Sequence, residues 1–337
     1  MKKEVINVKQ WQLVRRHSPE ELADFSEGDF VTVGRRACLR QKRLESVILP
    51  SACTTIKTEA FRGCKRLKSV VLSSETNVGI SDAAFAGCTR LRDVEPFSMI
   101  SAIGARAFAG CRVLRHAEFG RDLQRIGDRA FWRCDSLREL TLPSTLTSLG
   151  RAAFAHCIEL ERVDMEPALS VSAPDLFRGC ISLSEIVFSS EWKEIPKGAF
   201  RGCSALREVT LPSVQKIGRY AFFDCARLSE VTLEHGVKRV GMCAFAQTPR
   251  LERVKIPNSV KRLGFGAFGF GFSKEKITLC VESEYMLRRM KLLLILCGSF
   301  GRVRVEQTGK TLNERRRERH RSTIEKEPVH LLDGEDL

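Results

Sequence analysis

The chain has 337 residues, of which 43% are apolar, and carries 56 Lys and Arg against 41 Asp and Glu, a formal net charge of +15. The apolar content is sufficient for a folded core. The longest apolar run, near Leu292–Cys297, is far shorter than the roughly 18 residues of a membrane span, so no span is predicted. Two tyrosines and three tryptophans argue against broad aromatic binding platforms.

Residues 1–32 are predicted to form an N-terminal cap. Ser18 followed by Pro19 is typical of a helix start, with Ser as the N-cap and Pro in the first turn. We therefore expect a short helix over the segment that begins at Ser18, covering the first repeated unit, with Trp11 packed beside it. The first ten residues lack the apolar core of a secretion signal.

Residues 33–280 repeat one unit, Ile-Gly-x-x-x-Ala-Phe-x-x-Cys-x-x-Leu-x-x-Val-x-Leu-Pro. The phenylalanines recur every 22 to 24 residues, and Cys38 replaces the phenylalanine in a degenerate first copy. About eleven units of about 23 residues result. The repeated aromatic residues are Phe61, Phe85, Phe108, Phe131, Phe154, Phe177, Phe200, Phe222, Phe245 and Phe268. The repeated thiols are Cys64, Cys88, Cys111, Cys134, Cys157, Cys180, Cys203 and Cys225.

A unit of this size cannot enclose its own core, so its apolar side chains must be covered by the units before and after it. The Leu-x-x-Val-x-Leu stretch predicts a short strand with one face inward, and the following Pro ends it. The Gly of Ile-Gly is expected to allow a tight turn. Equivalent Phe, Leu, Val and Cys residues should then stack into interior rows.

The pattern Ala-Phe-x-Gly-Cys-x-x-Leu-x-x-Val-x-Leu-Pro, best preserved in residues 60–72, 107–119 and 199–212, resembles the BspA-type (treponemal) leucine-rich repeat. The resemblance implies a curved leucine-rich repeat solenoid with short parallel strands on its concave face. It also implies a role in protein–protein contact, often on bacterial or protist surfaces. Pro96 in place of a strand Leu, and Thr248 and Gly271 in place of Cys, depart from the pattern.

Thirteen cysteines raise the question of disulfides or zinc, but no Cys-x-x-Cys pair occurs and the spacing fits no zinc site. We expect a buried row of free thiols that pack as small apolar groups. A disulfide between neighbouring units is the alternative. The odd cysteine count and the N-terminal sequence favour a cytoplasmic location. An extracellular surface is the alternative that the resemblance implies.

The residues on either side of the inward Val should point out from the strand sheet. They include eight carboxylates and only Arg162, Arg253 and Lys255, a balance of −5 on a basic protein. This face is predicted to bind a basic or mixed-polarity protein segment, with ordinary solvation and cross-strand ion pairs as the alternative. The candidate partner-binding residues are Asp93, Glu95, Glu118, Glu139, Asp164, Glu185, Glu208 and Glu230.

The competing hypothesis is polyanion or nucleic-acid binding. Basic residues on the edges, such as Arg62 and Arg178, and an arginine-rich tail would carry it. The chain lacks obvious interleaving of aromatic and basic residues, which weakens this hypothesis.

Residues 281–306 are predicted to form a C-terminal cap. Ile277–Val281 is typical of a last strand, a helix should start at Ser283, and a strand should follow around Val303–Val305. Membrane-surface contact by the helix is the alternative to simple capping. Residues 307–337 are predicted to be a disordered basic tail with an arginine cluster between Arg315 and Arg321.

Catalysis is not predicted. The six histidines share no metal-binding spacing, no Gly-x-Ser-x-Gly motif occurs, and burial should suppress the reactivity of the repeated thiols. The sequence therefore predicts no enzyme activity, no cofactor and no metal.

Overall fold

A computed structural model describes residues 5–6, 22–24, 31–165, 173–188, 192–211, 214–269, 277–296 and 303–307. The chain winds as a parallel-strand solenoid of about eleven turns of about 23 residues each. Most turns contribute a strand to a front ladder, two or more residues to a side ladder, and a set of tight turns. The solenoid fold predicted from the repeat is confirmed.

The front ladder is formed by the Leu-x-x-Val-x-Leu stretches, and its strands pair in parallel with equivalent residues opposite each other. Its outward and inward residues alternate, as in Glu139–Leu142, where Leu140 and Leu142 are buried. The strands are Leu22–Asp24, Ser46–Ile48, Ser69–Val71, Asp93–Glu95, Glu139–Leu142, Arg162–Met165, Glu185–Val187, Glu208–Leu211, Glu230–Leu233, Arg253–Ile256, Ile277–Val281 and Val303–Gln307.

The side ladder, which was not predicted from the sequence, consists of two parallel sheets, one of seven strands and one of four. It is built from the residues that end at the Ile of Ile-Gly, so the inward Ile has a strand of its own. Its strands are Val5–Ile6, Thr32–Val33, Thr55–Ile56, Val78–Ile80, Ile100–Ile103, Arg125–Ile126, Ser148–Leu149, Glu194–Ile195, Lys216–Ile217, Arg239–Val240 and Arg262–Leu263.

The third side, called the turn face here, comprises the turn residues from three before to two after each repeated Phe. The residue two before the Phe has a positive φ, for example 56° at Arg106 and 54° at Arg129. The backbone N–H of Arg106 donates to the Asp128 carbonyl at 2.8 Å, and that of Phe108 donates to the Ala130 carbonyl at 2.8 Å. Hydrogen bonds between successive units therefore hold the turn face together, as they do in the front and side ladders.

The interior consists of the predicted rows. The ten repeated phenylalanine rings stack one on the next, with centroids 5.2–5.8 Å apart and interplanar angles of 2–15°. All ten are buried. Offset ring stacking adds to the free energy gained by burying these large apolar groups.

The cysteine row is buried, and its described members are free thiols, as predicted. Seven of them, from Cys88 to Cys225, donate from Sγ to the carbonyl of the phenylalanine one unit earlier, at 3.1–3.3 Å. The thiols thus satisfy buried carbonyls as well as filling space. Thr248 replaces the repeated Cys in its unit, and its hydroxyl donates to the carbonyl of Phe245 in the same unit at 2.7 Å.

The glycine of Ile-Gly has a different role from the expected tight turn. A Cβ on Gly127 would lie 2.5 Å from the nitrogen of Ala105, and a Cβ on Gly150 would lie 2.3 Å from the nitrogen of Asp128. Neither glycine has a positive φ. Glycine is required because the backbones of successive units approach closely at this corner.

The predicted N-terminal helix is wrong where the structure describes the segment. Leu22–Asp24 is a strand that pairs with Ser46–Ile48, and Val5–Ile6 pairs with Thr32–Val33. Pairing satisfies backbone groups along the exposed edge of the first unit, which a separate helix would leave open. Ser18, Pro19 and Trp11 lie outside the described residues.

The C-terminal elements agree with the prediction. Ile277–Val281 and Val303–Gln307 pair in parallel and extend the front ladder, and the helix between them is Glu284–Leu296. The Ser283 hydroxyl caps the helix by accepting from the N–H of Met286 at 3.2 Å. Met286, Met290 and Leu294 are buried, so this face of the helix covers the end of the core. The predicted division into caps, solenoid and tail remains a prediction, and the tail from residue 308 lies outside the described residues.

Candidate protein-binding surfaces

The front face presents the outward residues of the front ladder, including the eight predicted partner-binding carboxylates. In the parallel register Glu139 lies opposite Arg162, which lies opposite Glu185. Farther along, Glu208 lies opposite Glu230, which lies opposite Arg253. The front ladder consists of three such sheets, and within each of them the predicted rows are neighbours across the strands.

Ion pairs neutralise part of this acidic row. The Arg162 guanidinium pairs with Glu185 and lies 3.8 Å from a carboxylate oxygen of Asp164. The ammonium of Lys255 lies 3.2 Å from a carboxylate oxygen of Glu230. Within the described ranges, the other five predicted carboxylates form no ion pair, and four of them lie on three consecutive units. Those four are Asp93, Glu95, Glu118 and Glu139.

The front ladder is interrupted beside these four carboxylates. Residues 115–120 form no strand, so Glu118 is exposed on an extended segment rather than on a strand. Pro96, which has no N–H to donate, and a 3₁₀ turn at Phe97–Met99 precede the interruption. A hollow of about 430 Å³ lies here, lined by Glu118, Phe119 and Glu139 among others. The hollow at the sheet gap thus brings Glu118 and Glu139 onto one concave surface.

The turn face carries a second candidate surface, a groove of about 490 Å³ that crosses six consecutive units. Alanines and arginines form most of the lining of this groove. The alanines are Ala83, Ala86, Ala109, Ala152 and Ala155. The arginines are Arg62, Arg106, Arg129, Arg151 and Arg178. The remaining lining residues are Glu59, Trp132, His156 and Asp175.

The carboxylates of the groove lie in its first and last units, and both are paired. Glu59 forms ion pairs with Arg36 and Arg62, and these hydrogen bonds hold the pKa of its carboxyl below the ordinary value. Asp175 accepts from Arg151 Nε and Nη2 at 3.2 and 3.0 Å. Each carboxylate of the groove therefore has an arginine partner that offsets its charge.

Three arginines of the groove are exposed and, within the described part of the chain, form no ion pair: Arg106, Arg129 and Arg178. Trp132 lies among them with 37% of its surface exposed, and the Arg133 guanidinium lies 5.5 Å from its ring centroid. Burial lowers the pKa of His156, and the charges of Arg178 and Arg133 lower it further, so its imidazole is neutral at pH 7.

This groove was not predicted from the sequence. Arg62 and Arg178 were expected only as examples of basic edge residues, and Arg106, Arg129, Arg151, Trp132 and His156 were not singled out. The prediction that aromatic and basic residues are not interleaved is wrong for the turn face. Arg201 lies 5.0 Å from the Phe223 ring centroid and 5.9 Å from that of Tyr220. Listing the residue two before each repeated Phe would have shown that Arg106 and Arg129 occupy the same position in consecutive units.

The thiol row has no features of a catalytic centre. Burial raises the pKa of Cys64 and of Cys225 to about 12, which leaves them protonated at neutral pH. Among the described residues, no group of three or more His, Cys, Asp or Glu side chains is arranged to hold a metal ion. No helix in the described ranges has both the length and the apolar character needed to cross a bilayer.

Comparison with known proteins identifies the family. The family model of the BspA type leucine-rich repeat region, which spans six copies, matches residues 31–161, 78–207 and 173–288. The chain therefore belongs to the BspA-type leucine-rich repeat family, whose repeats generally serve as non-catalytic scaffolds for protein interaction. The comparison with curated proteins produced no significant match.

Solved structures similar to this chain are also leucine-rich repeat proteins. A leucine-rich repeat protein of T. pallidum is 34% identical, with 48% of this chain and 77% of that chain covered and a TM-score of 0.44. One from Bacteroides ovatus is 19% identical, with 86% and 92% covered and a TM-score of 0.42. A leucine-rich cell surface protein of Faecalibacterium prausnitzii is 20% identical, with 67% and 82% covered and a TM-score of 0.32.

Proposed function

We propose that this protein is a non-catalytic scaffold that binds a protein partner on its front face. The observation that carries the proposal is the cluster of unpaired carboxylates on three consecutive units. Asp93 and Glu95 lie on one strand, Glu118 lies at the sheet gap, and Glu139 lies on the next strand. Their like charges repel one another, so a basic partner relieves this repulsion as well as forming new ion pairs.

The hollow at the sheet gap favours a partner with both charged and apolar groups. Phe119 is only partly buried and lines the hollow together with Leu140. Arg115 and Arg138 also line it, beside the two glutamates. A basic segment that also carries an apolar side chain matches this lining. Burial of that side chain supplies affinity, and the surrounding charges supply selectivity and a faster encounter.

Selection from a displayed library of random peptides tests the proposal while the natural partner is still unidentified. The immobilised protein should enrich peptides that contain Lys or Arg beside an apolar residue. The double variant Glu118→Lys/Glu139→Lys should weaken their binding at least about tenfold, because it replaces two attractive charges with repulsive ones. The variant Glu208→Lys/Glu230→Lys should weaken binding less, since Lys255 already pairs with Glu230.

A matched control separates the front face from total charge. Glu75→Lys/Glu234→Lys makes the same change in net charge at two exposed residues on the connections between the ladders. This control should leave the affinity within about twofold of the parent protein once salt screens long-range effects. Peptides that bind the front-face variant and the parent protein equally well would contradict the proposal.

Polyanion or nucleic-acid binding is the second candidate, favoured by the unpaired arginines of the turn face. Titration with single-stranded DNA and RNA at rising salt tests it, because affinity supplied by phosphate contacts falls steeply with salt. Micromolar affinity that survives physiological salt would support this second candidate. The arginine-rich tail lies outside the described residues, so its contribution is measured by deleting residues 308–337.

A cytoplasmic location is the corresponding proposal for the compartment, supported by the buried free thiols. The extracellular surface is the alternative, since one of the similar solved proteins is described as a cell surface protein. Fractionation of cells that express the native protein distinguishes the two. Recovery on the outer surface, accessible to added protease, would reject the cytoplasmic proposal.

A further inference from the structure

We propose that the turn-face groove is a second binding site, which takes a short acidic peptide segment in an extended conformation. The groove lies on the turn face and shares none of its lining residues with the front-face cluster. The proposals for the two sites can therefore be tested and rejected independently, with variants of different residues.

The charge of the groove requires an anionic ligand. Five arginines and two carboxylates line it, and both carboxylates are held in ion pairs. The exposed guanidinium groups of Arg106 and Arg129 project from consecutive units and have no carboxylate partner among the described residues. Guanidinium groups bind carboxylates through paired N–H donors in a planar fork, which makes Glu and Asp side chains suitable ligands.

The length of the groove limits the ligand to a short segment. The groove crosses five steps of the phenylalanine stack, and each step measures 5.2–5.8 Å. An extended peptide advances about 3.4 Å per residue, so about eight residues occupy the whole length. Arg62 and Arg178 stand in the first and last units, so the arginines span this length.

The lining favours a peptide over a nucleic acid. Single-stranded nucleic acids are bound by successive aromatic platforms along a continuous basic path. Among the described lining residues, Trp132 is the one large aromatic ring, so the groove offers no succession of aromatic platforms. The five alanines leave a shallow apolar floor that accommodates small side chains of a peptide, while its carboxylates reach the surrounding arginines.

The test uses an acetylated octapeptide of alternating Glu and Ala residues as the probe, with the alternating Gln and Ala octapeptide as its neutral match. The full-length protein should bind the Glu peptide in calorimetry at physiological salt and bind the Gln peptide at least tenfold more weakly. Trp132 fluorescence should change on binding. In a Trp11→Phe background, Trp132→Phe should abolish that change, because the remaining Trp192 is buried away from solvent.

Charge reversal locates the site. Arg106→Glu/Arg129→Glu should weaken peptide binding at least tenfold. The matched control Arg239→Glu/Arg262→Glu makes the same charge change at exposed residues of the side ladder and should change the affinity less than threefold. Circular dichroism and the urea midpoint should show that both variants remain folded.

Three results would overturn the proposal. One is equal weakening by the two double variants, which would indicate nonspecific attraction to a basic protein. Another is absence of peptide binding even at low salt. The third is tighter binding of an oligothymidylate octamer than of the Glu peptide at physiological salt, with the same dependence on Arg106 and Arg129, which would assign the groove to nucleic acid.

Discussion

The front face and the turn face are built from the same repeated unit but treat charge differently. On the front face, directly opposite residues in a parallel register bring Arg162 against Glu185, and Lys255 reaches Glu230. On the turn face Glu59 and Asp175 are also paired, but Arg106 and Arg129, on consecutive units, have no carboxylate partner among the described residues. Stacking alone thus does not decide whether neighbouring charges are paired, because the outward residue in each unit is free to vary.

Both faces depend on the same interior, so the largest expected effect comes from removing a central ring. Phe131→Ala should lower the free energy of unfolding by about 3–5 kcal/mol, because it leaves a cavity between two stacked rings. Leu140→Ala, on the front-ladder side of the same unit, should cost about 2–5 kcal/mol. Urea unfolding measures both.

Amide hydrogen exchange in the same two variants should show which face each side chain stabilises. Phe131→Ala should accelerate exchange of turn-face amides such as that of Phe108, and Leu140→Ala should act mainly on front-ladder amides. A loss below about 1 kcal/mol for Phe131→Ala would contradict an interior ring stack.

The next largest loss of stability is expected at the corner between the side ladder and the turn face. Gly127→Ala should destabilise the protein by about 1–3 kcal/mol, because the new Cβ would lie 2.5 Å from the Ala105 nitrogen and force the units apart. Gly79→Ala is the matched control, since its Cβ would meet nothing closer than the Thr54 carbonyl at 3.8 Å. Thermal unfolding of the two variants should separate them, and equal midpoints would disprove the close-approach role.

The thiol row makes stability depend on pH at the alkaline end. The unfolded Cys225 thiol loses its proton near pH 9, whereas burial raises its pKa to about 12 in the folded protein. The folded state therefore binds the extra proton between these values, and stability falls as pH rises through this window. Each such thiol contributes about 1.4 kcal/mol per pH unit.

Cys225→Ala removes this contribution while leaving the other groups in place. Its unfolding free energy, measured between pH 9.5 and 11, should fall less steeply than that of the parent protein by about 1.4 kcal/mol per pH unit. Below pH 8 the two slopes should coincide. Identical slopes above pH 9.5 would mean that the thiol is accessible to solvent in the folded protein.

The smallest effect tests the difference in charge pairing directly. Arg162→Gln removes a front-face ion pair between half-exposed side chains and should cost about 0–1 kcal/mol. Arg129→Gln on the turn face removes an arginine without such a pair and should change stability even less. A loss above about 2 kcal/mol for Arg129→Gln would show that this arginine holds the turn face together rather than standing free for a ligand.

The sequence predicted the interior well because inward positions must repeat. A ring in each unit packs on the ring before it, so Phe131 and its equivalents recur at a constant spacing and can be recognised directly. The prediction failed at Leu22–Asp24, where a local helix signal lost to pairing with Ser46–Ile48. The strand forms because the edge of the first unit offers unpaired backbone groups, and this edge exists only in the assembled solenoid.

The candidate sites were predicted less completely. The front-face carboxylates follow from strand alternation, but their ion pairs depend on side-chain reach across the sheet, and Asp164, Glu185 and Glu230 proved to be paired. The groove at Arg106 and Arg129 depends on the backbone conformation at the turns. The residue type does not indicate this conformation, because alanine, arginine and glutamate all occupy the same positive-φ position.

The sequence by itself determined the period, the interior rows, the front strands and the family, since each unit must present the same apolar side chains to its neighbours. Only the tertiary structure decided the side ladder, the close contact that requires Gly127, and which surface charges are paired. Those features depend on distances of a few ångströms between residues that lie 22 to 24 positions apart in the chain, and such distances exist only after the units have stacked.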